Sequence, residues 1–256
     1  MKLSNMKKKY IVIAFSAVVS ILTAYGFMNL DKKAVRSLPA TNGFAVVELF
    51  TSEGCSSCPP ADEAVAALLA KNIKNVYILA YHVDYWNRLG WEDQFSKPEY
   101  SQRQSQYASV LGLSSVYTPQ VIVNGSSEFV GSDEDKLNGT VEGNLQTAIK
   151  QNVNISAVRV DNTITVDYST GGNDEVLLNL ALVQPEATTS VKRGENGGRV
   201  LHHVNIVRVL KTIDAKGEGK LTIDIPSELS NASLQLIAYT QGKDNLRILG
   251  ADQKTL

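Results

Sequence analysis

Apolar positions along the chain follow two regimes. Up to about residue 151, short runs of branched and aromatic residues alternate with stretches at helical spacing. Beyond residue 153 the helical period disappears. Residues 45–50 (Ala45, Val46, Val47, Glu48, Leu49, Phe50) read as a buried strand. Residues 61–71 place Ala64, Val65, Leu68 and Leu69 on one helical face, behind Pro59 and Pro60, which suit a first helical turn. Residues 75–83 form a second buried strand. Residues 84–113 follow as an insertion rich in polar and aromatic side chains, helical from 98 to 110. Residues 116–125 read as a turn entering a strand, 128–131 as its returning partner, and Ser132 as the cap of a helix over 133–150.

In the second regime, residues 155–160, 164–168, 176–183, 203–210, 220–225, 234–239 and 246–249 read as strands. Turn residues such as Asp161-Asn162, Gly171-Gly172, Lys216-Gly217 and Gly242-Lys243 separate several of them. Short strands at this spacing fit a β-sandwich. The expected organisation is therefore an α/β domain over 43–151 and an all-β, sandwich-like domain over 153–256.

The first thirty residues stand apart from both. Lys2, Lys7, Lys8 and Lys9 precede an apolar run, 11–24, broken only by Ser16, Ser20 and Thr23, as in an export signal. If residues 1–30 are not cleaved, 10–30 is long enough to tether the chain to a membrane by its N-terminus. Either way the body is expected in the periplasm or outside the cell, where thiols become oxidised. The formal net charge is −1. With no basic block beyond the leader, nucleic acid is not an expected partner.

The chain has two cysteines, Cys55 and Cys58, between the first strand and the first helix. Two thiols three residues apart at a helix start can form a disulfide, and the positive end of the helix dipole favours the first thiolate. Cys55 is expected to be the exposed attacking thiol and Cys58 the inward, resolving one. Such a pair would act on protein or peptide thiols and disulfides without a cofactor or metal. Two other readings stay open. One is soft-metal binding, of copper or zinc, by the cysteines with a histidine such as His82. The other is a non-catalytic binding module that keeps the pair as a structural disulfide.

The order β-α-β, helical insertion, β-β-α is that of thioredoxin. Thr118-Pro119 falls where thioredoxin-like folds bring a cis X-Pro peptide against the cysteine pair, although X-Pro is elsewhere usually trans. Three motifs in order then carry a resemblance: residues 50–62 around the cysteines, His82-Val83-Asp84-Tyr85-Trp86 with Leu89-Gly90-Trp91, and Tyr117-Thr118-Pro119-Gln120. With these the chain resembles a bacterial family of secreted thioredoxin-like proteins whose function is unassigned. The resemblance implies the fold, the paired cysteines and the opposing proline, but no substrate. The chain departs from thioredoxin in lacking a Trp before Cys55 and a Gly-Pro between the cysteines. Glu48 stands one position away from where a proton-relaying acid would be, on the opposite strand face unless a bulge re-aims it.

Further candidates lie outside the motif. Trp86 and Trp91 can form a peptide-binding surface or pack the insertion onto its parent domain. Thr118 can pair with an extended substrate. His82 and Asp84 end a strand where ligand groups of parallel sheets gather, although a buried, satisfied histidine is an ordinary core feature. The glycine-rich polar stretch 192–199, which ends in Arg199 and leads to His202 and His203, reads as a long hairpin or as a wall of the cysteine cleft.

Overall fold

All seven residues of β1 (Ala45–Thr51) are buried, because both faces of this strand are covered. That is why its sequence is a continuous apolar run rather than an alternation. The structure, a computed structural model, describes residues 43–171 and 175–256. The expected leader lies outside the described residues. Among the described residues no helix is long and apolar enough to cross a membrane.

The architecture is mixed α/β and mostly sheet. β1 pairs in parallel with β2 (Val76–His82) and antiparallel with β3 (Gln120–Val123), and β4 (Ser127–Val130) closes that edge. On the other side the same sheet continues from β2 through β8 (Val200–Ala215), β7 (Val176–Ser190) and β10 (Gln235–Gln241) to β11 (Ile248–Thr255). A second, antiparallel sheet holds β5 (Asn154–Val160), β6 (Thr163–Ser169) and β9 (Glu218–Asp224).

Three helices cover the first part of the large sheet. α1 (Pro59–Ala70) and α3 (Glu134–Leu145) bury Ala61, Val65, Leu68, Leu137 and Val141 against Ala45, Val47 and Leu49. α2 (Pro98–Leu111) lies on the opposite face, where Tyr100 and Tyr107 meet Phe50 and Tyr81. The small sheet covers Leu178, Leu180 and Leu182 of β7 through Ile155, Ile164 and Val166. Gly131 lets α1 approach: a Cβ there would sit 3.0 Å from Ala61 Cβ.

Two expectations change. The spans 43–151 and 153–256 are not separate bodies, since β2 pairs with β8 and the described residues form one compact unit. A three-stranded sheet packs on β7, but the layer it covers is a continuation of the sheet that carries β1. The strands expected at 176–183 and 203–210 are also much longer, at 15 and 16 residues. Beyond Val183, β7 no longer pairs with β10 and continues as a two-stranded ribbon with β8. Pro185 is tolerated there because a strand pairing on one side can spare an N–H. The ribbon carries the turn at 191–199 to the carboxyl end of β1.

Candidate functional site

β1 and β2 run parallel, and their carboxyl ends, Thr51 and His82, are register neighbours. After Thr51 the chain turns through Ser52, Glu53 and Gly54 into Cys55. Cys58 is the N-cap of α1, with Pro59 in its first turn. Cys55 and Cys58 are joined in a disulfide, with Cα atoms 5.4 Å apart. The expectation of an exposed Cys55 does not hold: both cysteines are 0% exposed, whereas Ser56 and Ser57 between them face solvent.

The ribbon turn lies against the backbone of Cys55. Asn196 is fully buried, and its side-chain Nδ2 donates to the carbonyls of both Glu53 and Cys55 at 2.9 Å. Next to it, the backbone N–H of Ser56 donates to Glu195 Oε2 at 3.1 Å. These bonds with Ser56 hold the Glu195 carboxyl below its ordinary range. Arg199 donates to Asn196 Oδ1 at 3.0 Å and so orients the buried amide. Arg199 also lines a crevice of about 70 Å³ with Pro59, Asp62 and His202.

Around the cysteine loop lies a group of buried titratable side chains that sequence reasoning had not assembled. Asp62 is one helical turn after Cys58, and its N–H donates to the Cys58 carbonyl at 3.1 Å. Burial raises the Asp62 pKa to about 7, a rise that His203 partly opposes. His203 Nε2 lies 3.4 Å from Glu53 Oε1, and neither atom has a hydrogen-bond partner. Glu53 Oε2 accepts from Trp91 Nε1 at 2.7 Å. The His82 and His203 rings meet edge to face with centroids 4.8 Å apart. His82 Nδ1 is 2.7 Å from Asp93 Oδ2, which also accepts the Glu53 N–H at 2.8 Å. Burial would raise the Asp93 pKa, but His82 and these donors leave it lowered.

The other expected residues divide. The Thr118–Pro119 peptide is cis. Trp86 joins that turn to the cysteine loop: its Nε1 donates to Thr118 Oγ1 at 2.8 Å, and a Cβ at Gly54 would sit 3.0 Å from Trp86 Cβ. The polar edges of Trp86 and Trp91 are thus engaged in hydrogen bonds within the chain rather than presented as an open surface. Asp84 is tied to Ser101 in the first turn of α2. Glu48 is a correction: Arg103 grips it through two 2.8 Å bonds, and Tyr107 adds a third at 2.9 Å. Its place is the α2 face of the sheet, as its strand position indicated, and its carboxylate is fully occupied there. Among the described residues no group of three or more His, Cys, Asp or Glu side chains is arranged to hold a metal ion.

Asp62 could have been found from its spacing, four residues after Cys58 on the same helical face. His203 and Asn196 belong to the stretch read as a hairpin or cleft wall, but their own contacts had no local signal, because only the long ribbon brings them to the cysteine loop.

A family model described as "Protein of unknown function (DUF1223)" matches residues 46–241. The chain belongs to that family. The matched span covers the cysteine loop, the cis-proline turn and the ribbon, so the site of this DUF1223 member lies wholly within it. A solved structure of protein AGR_C_4864 from Agrobacterium tumefaciens is similar, with 31% identity and a TM-score of 0.63; the match covers 84% of this chain and 94% of that one. A hypothetical protein from Pyrococcus horikoshii, PH1083, matches 42% of this chain and 88% of its own, with 11% identity and a TM-score of 0.25. No curated protein matches the chain.

Proposed function

We propose that the protein is an exported thiol-disulfide oxidoreductase acting on protein or peptide disulfides through Cys55 and Cys58. In this reading residues 43–151 are thioredoxin-like, with 84–113 as a helical insertion. The observation that carries it is a disulfide at the start of α1 followed, one turn on, by a buried carboxyl poised near neutrality. A structural disulfide needs no such group. A thiol pair does, because every cycle releases and takes up protons. The export-signal pattern supports an oxidising compartment.

The chemistry follows from exchange. In the reduced protein the Cys55 thiolate, favoured by the start of α1, attacks one sulfur of a substrate disulfide and releases the other as a thiolate. Cys58 then attacks the Cys55 sulfur, which restores the Cys55–Cys58 bond and frees the substrate as a dithiol. Two electrons pass to the substrate, and Asp62 is placed to take the proton that Cys58 gives up. Run backwards, the same steps oxidise a substrate dithiol.

The burial of both cysteines favours a second reading, a structural disulfide that helps hold the 191–199 turn. Trapping separates the two. Cys58→Ser mixed with a disulfide-linked peptide should accumulate a mixed disulfide at Cys55, seen by intact mass, and Cys55→Ser should accumulate far less. Absence of adduct from both variants would support the structural reading.

A further inference from the structure

The turn at 191–199 does more than connect two strands. Its neighbours Glu195 and Gly197 are exposed, but Asn196 is driven wholly into the protein, beside Cys55. Gly194 and Gly198 both have positive φ, at 77° and 86°, which gives the turn the tight path that this insertion requires. A side chain at Gly194 would also press on Trp91 Cβ, 3.1 Å away. Three of the groups the turn engages are backbone groups of the cysteine loop, with the Ser56 side chain beside them. Asn196 supplies a donor to two convergent carbonyls, those of Glu53 and Cys55, and Glu195 supplies an acceptor to the Ser56 N–H.

One donor and one acceptor, side by side, is the pair that the backbone of an extended polypeptide presents. We propose that the 191–199 turn is a latch over the disulfide, and that an extended segment of a thiol- or disulfide-bearing protein takes its place. The incoming chain puts a backbone N–H where the Asn196 amide was and a backbone carbonyl where the Glu195 carboxylate was. Opening exposes the Cys55 sulfur to attack, and docking aligns the substrate sulfur with it. The latch therefore sets both the accessibility of the disulfide and the substrate class: extended protein segments rather than small thiols. This inference rests on the redox reading above. It adds a requirement that reading lacks, the displacement of a built-in competitor.

The test uses the oxidised full chain and two reductants. The first is a small water-soluble phosphine, which takes oxygen from water, becomes the phosphine oxide and leaves two thiols on the protein. The latch predicts that Asn196→Ala raises the rate of this reduction roughly ten- to hundredfold, as expected for the loss of two hydrogen bonds from the closed state. Glu195→Ala, at an exposed side chain, should give a smaller rise and keeps the test open should Asn196→Ala fail to fold. The second reductant is a cysteine peptide, compared with the same peptide N-methylated on both sides of its cysteine. The methylated form should react several-fold more slowly with wild type. Equal phosphine rates in wild type and variants, or equal rates for the two peptides, would overturn the latch. Equilibration of each protein with glutathione keeps the two ideas apart. If the disulfide equilibrates but the rates are unchanged, the latch alone fails; if it stays oxidised in both proteins, the redox reading fails and the latch with it.

Discussion

Asp62 follows Cys58 by one helical turn, and its backbone N–H donates to the Cys58 carbonyl at 3.1 Å. That bond belongs to the first turn of α1, which puts the buried Asp62 on the same helical face as the inner cysteine. In the proposed redox reading, that position makes it the proton partner of the pair.

The raised pKa of Asp62 has a consequence for stability, and its sign is definite. The folded chain keeps the proton up to a pH of about 7, whereas an ordinary aspartate releases it near 3.8. Between those values the folded state binds more protons than the unfolded state, so stability falls as pH rises through the window. Once both states are ionised the penalty is on the order of 4 kcal/mol. Asp62→Asn should match wild type near the acid end of the window and be more stable above it. Denaturant midpoints measured across the range check this; parallel curves for the two proteins would contradict the placement of Asp62.

On the other face of the sheet, Glu48 is 0% exposed and depends on Arg103. Arg103→Met leaves a buried carboxylate with only Tyr107 as donor and should cost about 3–5 kcal/mol. Adding Glu48→Leu to that variant should recover much of the loss, because it removes the unpaired charge. The midpoint of urea unfolding reads both effects. Equal stability of wild type and Arg103→Met would show that the ion pair is not holding the sheet to α2.

Trp91 contributes a single polar contact, the indole bond to Glu53 Oε2. Trp91→Phe retains an aromatic ring but removes that donor from a fully buried carboxylate, a cost of about 1–3 kcal/mol. For a chain of this size that lowers Tm by roughly 2–12 °C, at 2–4 °C per kcal/mol. An unchanged Tm would place the Glu53 carboxylate in contact with water.

The local chemistry was legible in the sequence wherever neighbours in the chain are neighbours in space. The apolar run of β1, the proline-opened α1 and the cysteines between them needed no long-range information. The helix expected at 133–150 ends at Leu145, where apolar spacing alone gave no stop. The division into two bodies was misleading because one strand pair, Ala80 with Ile206, joins the halves into one sheet. No composition shift reports such a pairing. Residues 184–190 and 200–202 lie outside the expected strands yet form the ribbon, because its buried face carries Thr189 and His203 beside Leu201 and so shows no continuous apolar stripe in the sequence. The sequence marks 192–199 as a hairpin or a wall of the cleft, yet nothing in it singles out Glu195 and Asn196 as the residues that bond the cysteine loop. Trp86 was anticipated at the site, but its contact with Thr118 is a bond within the chain and not an open surface.

The central claim, that Cys55 and Cys58 form a working redox pair, is tested most directly by their reduction potential. The protein is equilibrated at neutral pH in graded thiol-disulfide buffers, quenched, and its free thiols counted by mass. The account predicts a two-electron curve with a midpoint between about −120 and −270 mV, the span of known exchange proteins. A pair that stays oxidised below about −300 mV, while the urea-unfolded chain is readily reduced, would mark a structural disulfide and contradict the account.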